Sequence, residues 1–453
     1  MPPRHYDAAR KGDLTVALPL IAQPFAGLRY RRDDLSGVLA PPYDIITPGD
    51  QQRLYDRDPH NIVRLEFGHA NPDDTDDNDR YSRAAKTLQE WRQQTILGYD
   101  DAPCLYPCAH EFTLRGERRT RLGVICAVRL TPFDAGVVLP HEGTLRAPRE
   151  DRRRLMLACE AQISPVLALH DDPDGAIAGV IQEMMGDEPA ARAETNGEHH
   201  RLWRQRRSRW AERYCELLGQ GPLFIADGHH RYETALTVSR ELQDAHPGCP
   251  PDAAFKYVLA LLCPASQPGV VILPTHRLLL LRSPQEREHL QALIGERFER
   301  RDVECAAGDA FAAARTLVER LDDANDGICF GVYSRSDGCQ LLVAKPQALP
   351  GDAGPGGINR LGTVIIHRLL IDPVVGPDAL GSRVGYVMDE AEAVRQVDEG
   401  RADHALFLRP TTVEQVKRVA AAGLRMPGKS TYFYPKAPTG LVINDIAPGR
   451  TIP

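Results

Sequence analysis

A five-residue stretch of the chain combines a carboxylate, a glycine and three side chains that can carry positive charge. It follows the apolar residues 223–226, which are typical of a buried strand, and helical spacing begins at Tyr232. Backbone N–H groups at a helix start have no intrahelical partner, and a glycine lets an anion approach them. The stretch therefore predicts a phosphate site; the alternative is a capping aspartate followed by ordinary polar residues. Its members are Asp227, Gly228, His229, His230 and Arg231.

A second stretch places His141 and Glu142 directly after Pro140, at the end of a predicted strand. Gly143 follows, and residues 146–154 are rich in arginine. A carboxylate at a strand end beside several arginines could be a base held over a phosphate site. The alternative is the start of a surface helix with ordinary i,i+4 ion pairs.

Two further pairs are candidates for binding residues. Tyr43 and Asp44 follow two successive prolines, which fix the backbone and exclude a helix; the prolines could also simply end a strand. His276 and Arg277 follow the predicted strand 270–273, so they would also lie at a strand end.

Residues 423–430 match the phosphate-loop pattern G-x-x-x-x-G-K-[ST] in letters only. A true phosphate loop lies between a strand and a helix, whereas here a helix precedes and a strand follows. Pro427 also removes a backbone donor. We therefore do not predict a phosphate loop here, although Lys429, Ser430 and Thr431 remain candidates for an active site.

The periodicity predicts a mixed α/β (α+β) architecture. Alternation predicts a half-buried strand over Asn61–Phe67, helical spacing predicts a helix over 81–94, and two strands are predicted over 109–114 and 122–130. Thr411 and Glu414 predict a capping box for a helix over 412–422.

The predicted organisation has three parts. Residues 1–19 are a loosely ordered extension, and residues 20–275 are an N-terminal lobe that carries both histidine-containing stretches. Residues 276–453 are a C-terminal α/β lobe that contributes residues 429–431.

Composition excludes several classes of protein. The 453 residues carry a net charge of −7, so we expect no nucleic-acid partner, and we interpret the arginines of 199–213 as a solvated face. No run of 18 apolar residues and no signal sequence is present, which predicts a cytoplasmic protein without a membrane partner. Ten cysteines are scattered without a disulfide framework, as in a reducing compartment. Cys104, Cys108 and His110 form an incomplete ligand set, so we predict no structural zinc.

Seven motifs occur in order between Pro41 and Lys436, within a match that runs from about Ile21 to the end of the chain: PPYDIIT, NIVRLE, LPHEGTL, FIADGHHRYETAL, ILPTHRLL, RPTTVEQV and KSTYFYPK. Together they resemble the family catalogued as domain of unknown function 1015. Three of them, Pro-His-Glu, Asp-Gly-His-His-Arg and Lys-Ser-Thr, are also distantly similar in type and order to the free L-serine kinases of the ParB/sulfiredoxin-like superfamily.

This second resemblance implies a fold and a set of roles. The fold would be a ParB/sulfiredoxin-like nucleotide-binding core with an N-terminal extension. Glu142 would be the catalytic base with His141 beside it, and Asp227 would bind Mg²⁺ or the substrate hydroxyl. The turn from Gly228 to Arg231, with His229 and His230, would hold nucleotide phosphates. Substrate would be bound by Lys429, Ser430 and Thr431, to which we add Tyr43, Asp44, His276 and Arg277.

The resemblance implies a Mg²⁺-dependent kinase that transfers phosphate from ATP or ADP to a small hydroxylated metabolite, with free serine the leading candidate. Two alternatives keep the nucleotide without a metabolite acceptor: a ParB-like nucleotide-binding regulator and a nucleotide hydrolase. Sulfiredoxin chemistry is not expected, because that class needs a cysteine where this chain has His229 and His230.

Overall fold

Apolar and alternating segments of the chain form two large sheets. The computed structural model describes residues 21–305, 308–325, 327–376 and 379–452, so the predicted extension over 1–19 lies outside the described residues. The strands are β1 (Ala22–Gln23), β2 (Leu28–Tyr30), β3 (Leu97–Tyr99), β4 (Cys104–Leu114), β5 (Glu117–Arg129), β6 (Val138–Leu139), β7 (Ala161–Gln162), β8 (Val166–His170), β9 (Ala191–Thr195), β10 (Glu198–Leu202), β11 (Gln205–Arg206), β12 (Leu223–Asp227), β13 (Tyr257–Pro264), β14 (Val271–Leu273), β15 (His276–Leu279), β16 (Phe298–Val303), β17 (Cys329–Ser334), β18 (Gly338–Ala344), β19 (Val384–Val387), β20 (His404–Phe407), β21 (Tyr432–Tyr434) and β22 (Asn444–Asp445).

Amphipathic helices cover the sheets. They are α1 (Pro48–Arg57), α2 (Val63–Glu66), α3 (Arg80–Gln93), α4 (Arg146–Cys159), α5 (Ala176–Met184), α6 (Arg209–Leu218), α7 (His229–Ala245), α8 (Pro284–Arg297), α9 (Ala310–Asp323), α10 (Gly362–Ile366), α11 (Asp372–Val375), α12 (Leu380–Arg383), α13 (Glu390–Asp398) and α14 (Val413–Ala421). None of the helices in the described ranges is both long enough and apolar enough to cross a membrane.

The larger sheet has ten strands in the order β6-β12-β8-β13-β5-β4-β10-β9, with β1 paired to β5 and β11 to β4. Most pairs are antiparallel, while β12 with β6 and β13 with β8 are parallel. Helices α5, α6 and α7 pack on one face. The other face is covered by residues of α3 and α4 and by the C-terminal segment of the chain. Strand β12 is buried throughout, so the polar residues that follow it emerge from the centre of the molecule.

The smaller sheet has six antiparallel strands in the order β16-β18-β17-β20-β15-β19. Helices α9 and α13 pack on one face, and α8, α10 and α11 pack on the other. The chain then returns to the larger sheet. Strand β21 pairs with β14, β22 pairs with β7, and the backbone of Ile443 exchanges hydrogen bonds with Leu28.

The structure confirms the mixed α/β class, and the described strands form no closed barrel. Helix α3 and strands β4 and β5 confirm the elements predicted over 81–94, 109–114 and 122–130. The strand predicted over Asn61–Phe67 is wrong, because this segment forms helix α2. The Asn61 side chain accepts the Val63 N–H at 3.0 Å and starts the turn, and Glu66, which alternation placed in water, is buried.

Candidate functional site

The predicted phosphate turn forms a sharp corner between strand β12 and helix α7. Gly228 has φ = +92°, and a Cβ added there would lie 2.9 Å from Nε of Arg231. Its carbonyl accepts the Tyr232 N–H at 3.0 Å, which starts the helix. None of the described side chains caps this helix, so no side chain accepts a hydrogen bond from the N–H groups of its first turn. The corner therefore keeps the backbone donors that favour an anion.

The Asp227 carboxylate lies between two cations. Lys436 donates to its Oδ1, and Nη2 of Arg231 donates to its Oδ2 at 2.6 Å. Burial alone would raise the pKa of Asp227, but Lys436 and Arg231 outweigh burial and lower it. Burial likewise disfavours the Lys436 ammonium, and Asp227 and Asp44 together overcome this effect and raise its pKa. The three buried groups form one ion-paired network.

His141 and His229 are neutral and have defined tautomers. Nδ1 of His141 donates to the Ile225 carbonyl at 2.9 Å, so its Nε2 accepts the Thr431 hydroxyl, also at 2.9 Å. Burial lowers the pKa of His141 to about 4. Nε2 of His229 accepts the His141 N–H at 3.3 Å, which leaves its Nδ1–H facing Glu142. Burial, with His141 next in size, lowers the pKa of His229 well below its usual range.

Glu142 is the accessible carboxylate of this group. Its side chain is 33% exposed, and Oε2 lies 3.8 Å from Nδ1 of His229. Oε1 accepts the Lys429 N–H at 3.4 Å. Burial raises the pKa of Glu142 against the opposing effect of Lys429. A carboxylate that has a raised pKa and is partly accessible to solvent is suited to accept a proton from a bound hydroxyl.

The loop after α14 reaches the same place from the other end of the chain. Lys429 has φ = +60°, a conformation that a non-glycine residue keeps only when its surroundings hold it. Here Glu142 accepts the Lys429 N–H, and Nη2 of Arg277 donates to its carbonyl at 3.1 Å. The Met426 N–H also donates to the His141 carbonyl at 2.7 Å. These bonds fix the loop that presents Thr431.

The segment after Pro41 and Pro42 borders this group, and it forms a 3-10 helical turn over Tyr43–Ile45 where the prolines had predicted no helix. The Arg152 guanidinium stacks on the Tyr43 ring at 3.9 Å from its centroid, and burial raises the pKa of Tyr43 to about 12. Asp44 is exposed and is one of the charges that act on Lys436 and His230.

The structure thus brings together Glu142, His141, the 227–231 corner, Lys429 and Thr431, with Tyr43 and Asp44 beside them. Ser430 is not part of the open site, because its hydroxyl donates to the Pro427 carbonyl at 2.7 Å and it is buried.

The predicted substrate-binding roles of His276 and Arg277 are not supported, because both residues are buried in strand β15. The His276 ring packs on Phe407, and Arg277 donates to the Thr275 and Lys429 carbonyls and lies over the Tyr386 ring. The two polar residues that follow strand β14 are therefore the first residues of the next strand, β15, and not an exposed strand end.

The predicted phosphate clamp also differs in detail. Arg231 donates to Asp227 and to the Pro165 carbonyl, and Nε2 of His230 accepts the Leu145 N–H at 2.8 Å. Burial lowers the pKa of His230. These side chains have protein partners, as does Lys436 through Asp227, so the backbone donors of the corner and the exposed Lys429 remain as the groups that favour an anion.

Sequence reasoning missed Lys436, which completes the Asp227 network and lies over the Tyr432 ring at 4.6 Å. It also missed Arg425, which donates to the Pro140 carbonyl at 3.0 Å and so joins the loop after α14 to the His141 segment. Lys436 is the last residue of the motif KSTYFYPK, but nothing in that motif indicates that it pairs with Asp227.

A magnesium site on Asp227 does not fit this arrangement. Both carboxylate oxygens already face the cations Lys436 and Arg231, and a divalent ion at that position would be repelled by both. Magnesium prefers open carboxylates with room for several waters.

Comparison with known proteins places the chain in a family. The family model described as Protein of unknown function (DUF1015) matches residues 22–364. The chain belongs to the DUF1015 family. No curated protein matches it in sequence.

This DUF1015 protein is also similar to solved structures. A free serine kinase in complex with AMP matches with a TM-score of 0.36 and 12% identity over 71% of this chain and 92% of that one. A conserved hypothetical protein from Pyrococcus furiosus matches with 0.35 and 13%, over 71% and 97%. SbnI with C-terminal truncation from Staphylococcus aureus matches with 0.35 and 11%, over 71% and 89%.

Proposed function

We propose that this DUF1015 protein is a small-molecule kinase that transfers a phosphoryl group from ATP or ADP to a hydroxylated metabolite, with free serine as the leading candidate. One observation carries the proposal. Three segments that are remote in sequence converge on one site: His141 contacts both His229 and Thr431, and Glu142 contacts the Lys429 backbone. These segments are the ones in which the sequence resembles the free L-serine kinases.

The chemistry of each group supports this reaction. The acceptor hydroxyl donates its proton to Glu142 while its oxygen forms a bond to the terminal phosphorus. The bond from that phosphorus to the bridging oxygen breaks, and the nucleotide leaves with one phosphate fewer. Phosphoryl transfer depends mainly on positioning and on stabilising charge. The backbone donors at Gly228 and the ammonium group of Lys429 supply positive potential for the phosphates, while Lys436 and Arg231 balance the charge of Asp227.

His141 and Thr431 position the acceptor in this scheme. The Thr431 hydroxyl gives its proton to Nε2 of His141, which leaves its oxygen lone pairs for a donor of the substrate, such as an ammonium group. His141 is thus a positioning residue, because both of its ring nitrogens are used inside the protein.

The test is an assay for phosphoserine with serine and either ATP or ADP, with and without added Mg²⁺. We expect transfer by the wild-type protein and a loss of at least about 100-fold in Glu142→Gln, the lower range for removal of a general base. Glu111→Gln is the matched control, because Glu111 is a half-buried glutamate on β4 paired with Arg118 and Arg201. It should keep full activity.

Three results would overturn the proposal. Turnover undiminished in Glu142→Gln would remove the base. Tight nucleotide binding with no transfer to any of a panel of hydroxylated metabolites would indicate a nucleotide-binding regulator. Phosphate release at a rate unaffected by added alcohols would indicate a hydrolase.

A further inference from the structure

A row of polar side chains crosses the larger sheet away from the Asp227 corner. In the antiparallel pairing of β10 with β4, His200 lies directly opposite His110. Glu198 is two residues before His200 on the same strand, so its side chain points to the same face. The strand register alone therefore places two imidazoles and one carboxylate together.

The distances within this group are short. Nε2 of His110 lies 2.7 Å from Oε2 of Glu198, and the two imidazole rings are 4.0 Å apart. One ligand atom from each of the three residues lies within 4.8 Å of the others. Ligands of a tetrahedral zinc ion are about 3.3 Å apart, so shifts of roughly an ångström would enclose an ion. Glu198 has room for such a shift, since 24% of its side chain is exposed.

The surroundings leave one side of the group open. Glu198 and His200 line a cavity of about 320 Å³, which is also lined by Tyr434 and Lys436. Three protein ligands with a fourth position open to a cavity are typical of a metal site that exchanges water or a small ligand.

Arg121 determines the tautomer of His110 in the metal-free protein. Nη2 of Arg121 donates to Nδ1 of His110 at 3.1 Å, so the ring proton is on Nε2 and bridges to Glu198. A metal ion would replace that bridging proton, and the proton would move to Nδ1. Arg121 would then lose this bond and keep the one from Nη1 to the Pro435 carbonyl.

We propose that His110, Glu198 and His200 bind one divalent transition-metal ion, with Zn²⁺ as the best match to two imidazoles and a carboxylate. The sequence analysis considered Cys104, Cys108 and His110 and predicted no structural zinc there, and the ligand group in the described residues contains neither cysteine. The inference does not depend on the kinase proposal.

The test uses the full chain after treatment with a chelator and dialysis. Titration with Zn²⁺ should show one ion per chain, and Co²⁺ should give the visible absorption of a four- or five-coordinate site without a thiolate charge-transfer band. Glu198→Gln and His200→Asn should each weaken Zn²⁺ binding at least tenfold. His199→Asn is the matched control, because His199 is the next residue on the same strand and faces the opposite side.

Arg121→Gln is a variant that we expect to strengthen Zn²⁺ binding instead of weakening it. The glutamine carbonyl can accept from Nδ1–H of His110, the tautomer that a metal ion requires, so this variant should bind Zn²⁺ several-fold more tightly. The proposal is overturned by any of three results: no stoichiometric Zn²⁺ binding, a thiolate band with Co²⁺, or equal affinity in the His199→Asn, His200→Asn and Glu198→Gln proteins.

Discussion

At the scale of single residues, the pair of Asp227 and Lys436 is the strongest electrostatic feature of the site. Both side chains are only 11% exposed and have lost most of their hydration. Each stays charged because the opposite charge of the other compensates for that loss. Replacement by Lys436→Met removes one partner and leaves Asp227 with Arg231 alone. We expect a loss of about 3 kcal/mol in the free energy of unfolding, measured by urea denaturation at pH 7.

The pH dependence of this loss has a defined sign. The pKa of Asp227 is lowered in the folded protein, so its stabilisation is present above its unfolded value near about 4 and is lost as the pH falls further. The difference between wild type and Lys436→Met should therefore be constant from about pH 5 to 8 and shrink below about pH 4. Lys417→Met is the control: Lys417 pairs with the half-exposed Asp171, so the expected loss is below about 1 kcal/mol. Equal losses in the two variants would contradict the argument.

Residue types in a local pattern were enough to predict part of the site. Glu142 and the 227–231 corner were predicted because each directly follows an apolar segment, where several polar residue types in a row indicate a site. Lys436 was not, because nothing local indicates that it turns back to Asp227. The start of helix α14 was also predicted only approximately. Thr412 and Gln415 form its capping box, one residue beyond the predicted Thr411 and Glu414.

At the scale of elements, the corner between β12 and α7 depends on Gly228. An alanine there would have to adopt φ near +92° and would push against the Arg231 guanidinium at 2.9 Å. We expect Gly228→Ala to lower the free energy of unfolding by about 2 kcal/mol and to weaken any nucleotide binding. Thermal unfolding and calorimetry with ATP and ADP would measure the two effects.

Gly179→Ala is the matched control for that variant. Gly179 lies inside helix α5, has no atom within 4 Å of an added Cβ and is not in the left-handed region. Alanine should stabilise the protein by about 0.5–1 kcal/mol there. A loss of stability at Gly179, or none at Gly228, would show that the conformation of the corner is not what requires a glycine.

Most elements were predictable because their periodicity reflects one buried face. The segment Asn61–Phe67 was not, because α2 is enclosed by other elements and its alternation of polar and apolar residues has no exposed side. Arg152 reaches Glu66 at 3.3 Å, so a buried ion pair stands where the pattern predicted solvent. Alternation predicts a strand only when half of the residues face water.

At the scale of the whole molecule, the site depends on the segment after α14 packing back on the larger sheet, which no local sequence pattern predicts. Residues 276–407 complete the smaller sheet, and the segment after α14 then packs on the larger one. Strand β21 joins β14, and this pairing places Thr431 beside His141 across 290 residues of sequence. The division into lobes at residue 275 stays a prediction, whereas this crossing depends on long-range packing.

The C-terminal segment, residues 441–452, packs on the larger sheet, so its removal should affect the two sheets differently. Deletion of residues 441–453 removes five aliphatic side chains that are at most 5% exposed: Leu441, Val442, Ile443, Ile446 and Ile452. At about 2 kcal/mol each, their loss is comparable to the entire stability of a typical domain. Hydrogen exchange should therefore become fast in β4, β5 and β13 of the larger sheet, while β17 and β18 of the smaller sheet stay protected. Phe330→Ala in β17 should give the reverse pattern, and a uniform rise in exchange across both sheets in either protein would mean that the two sheets unfold as one unit.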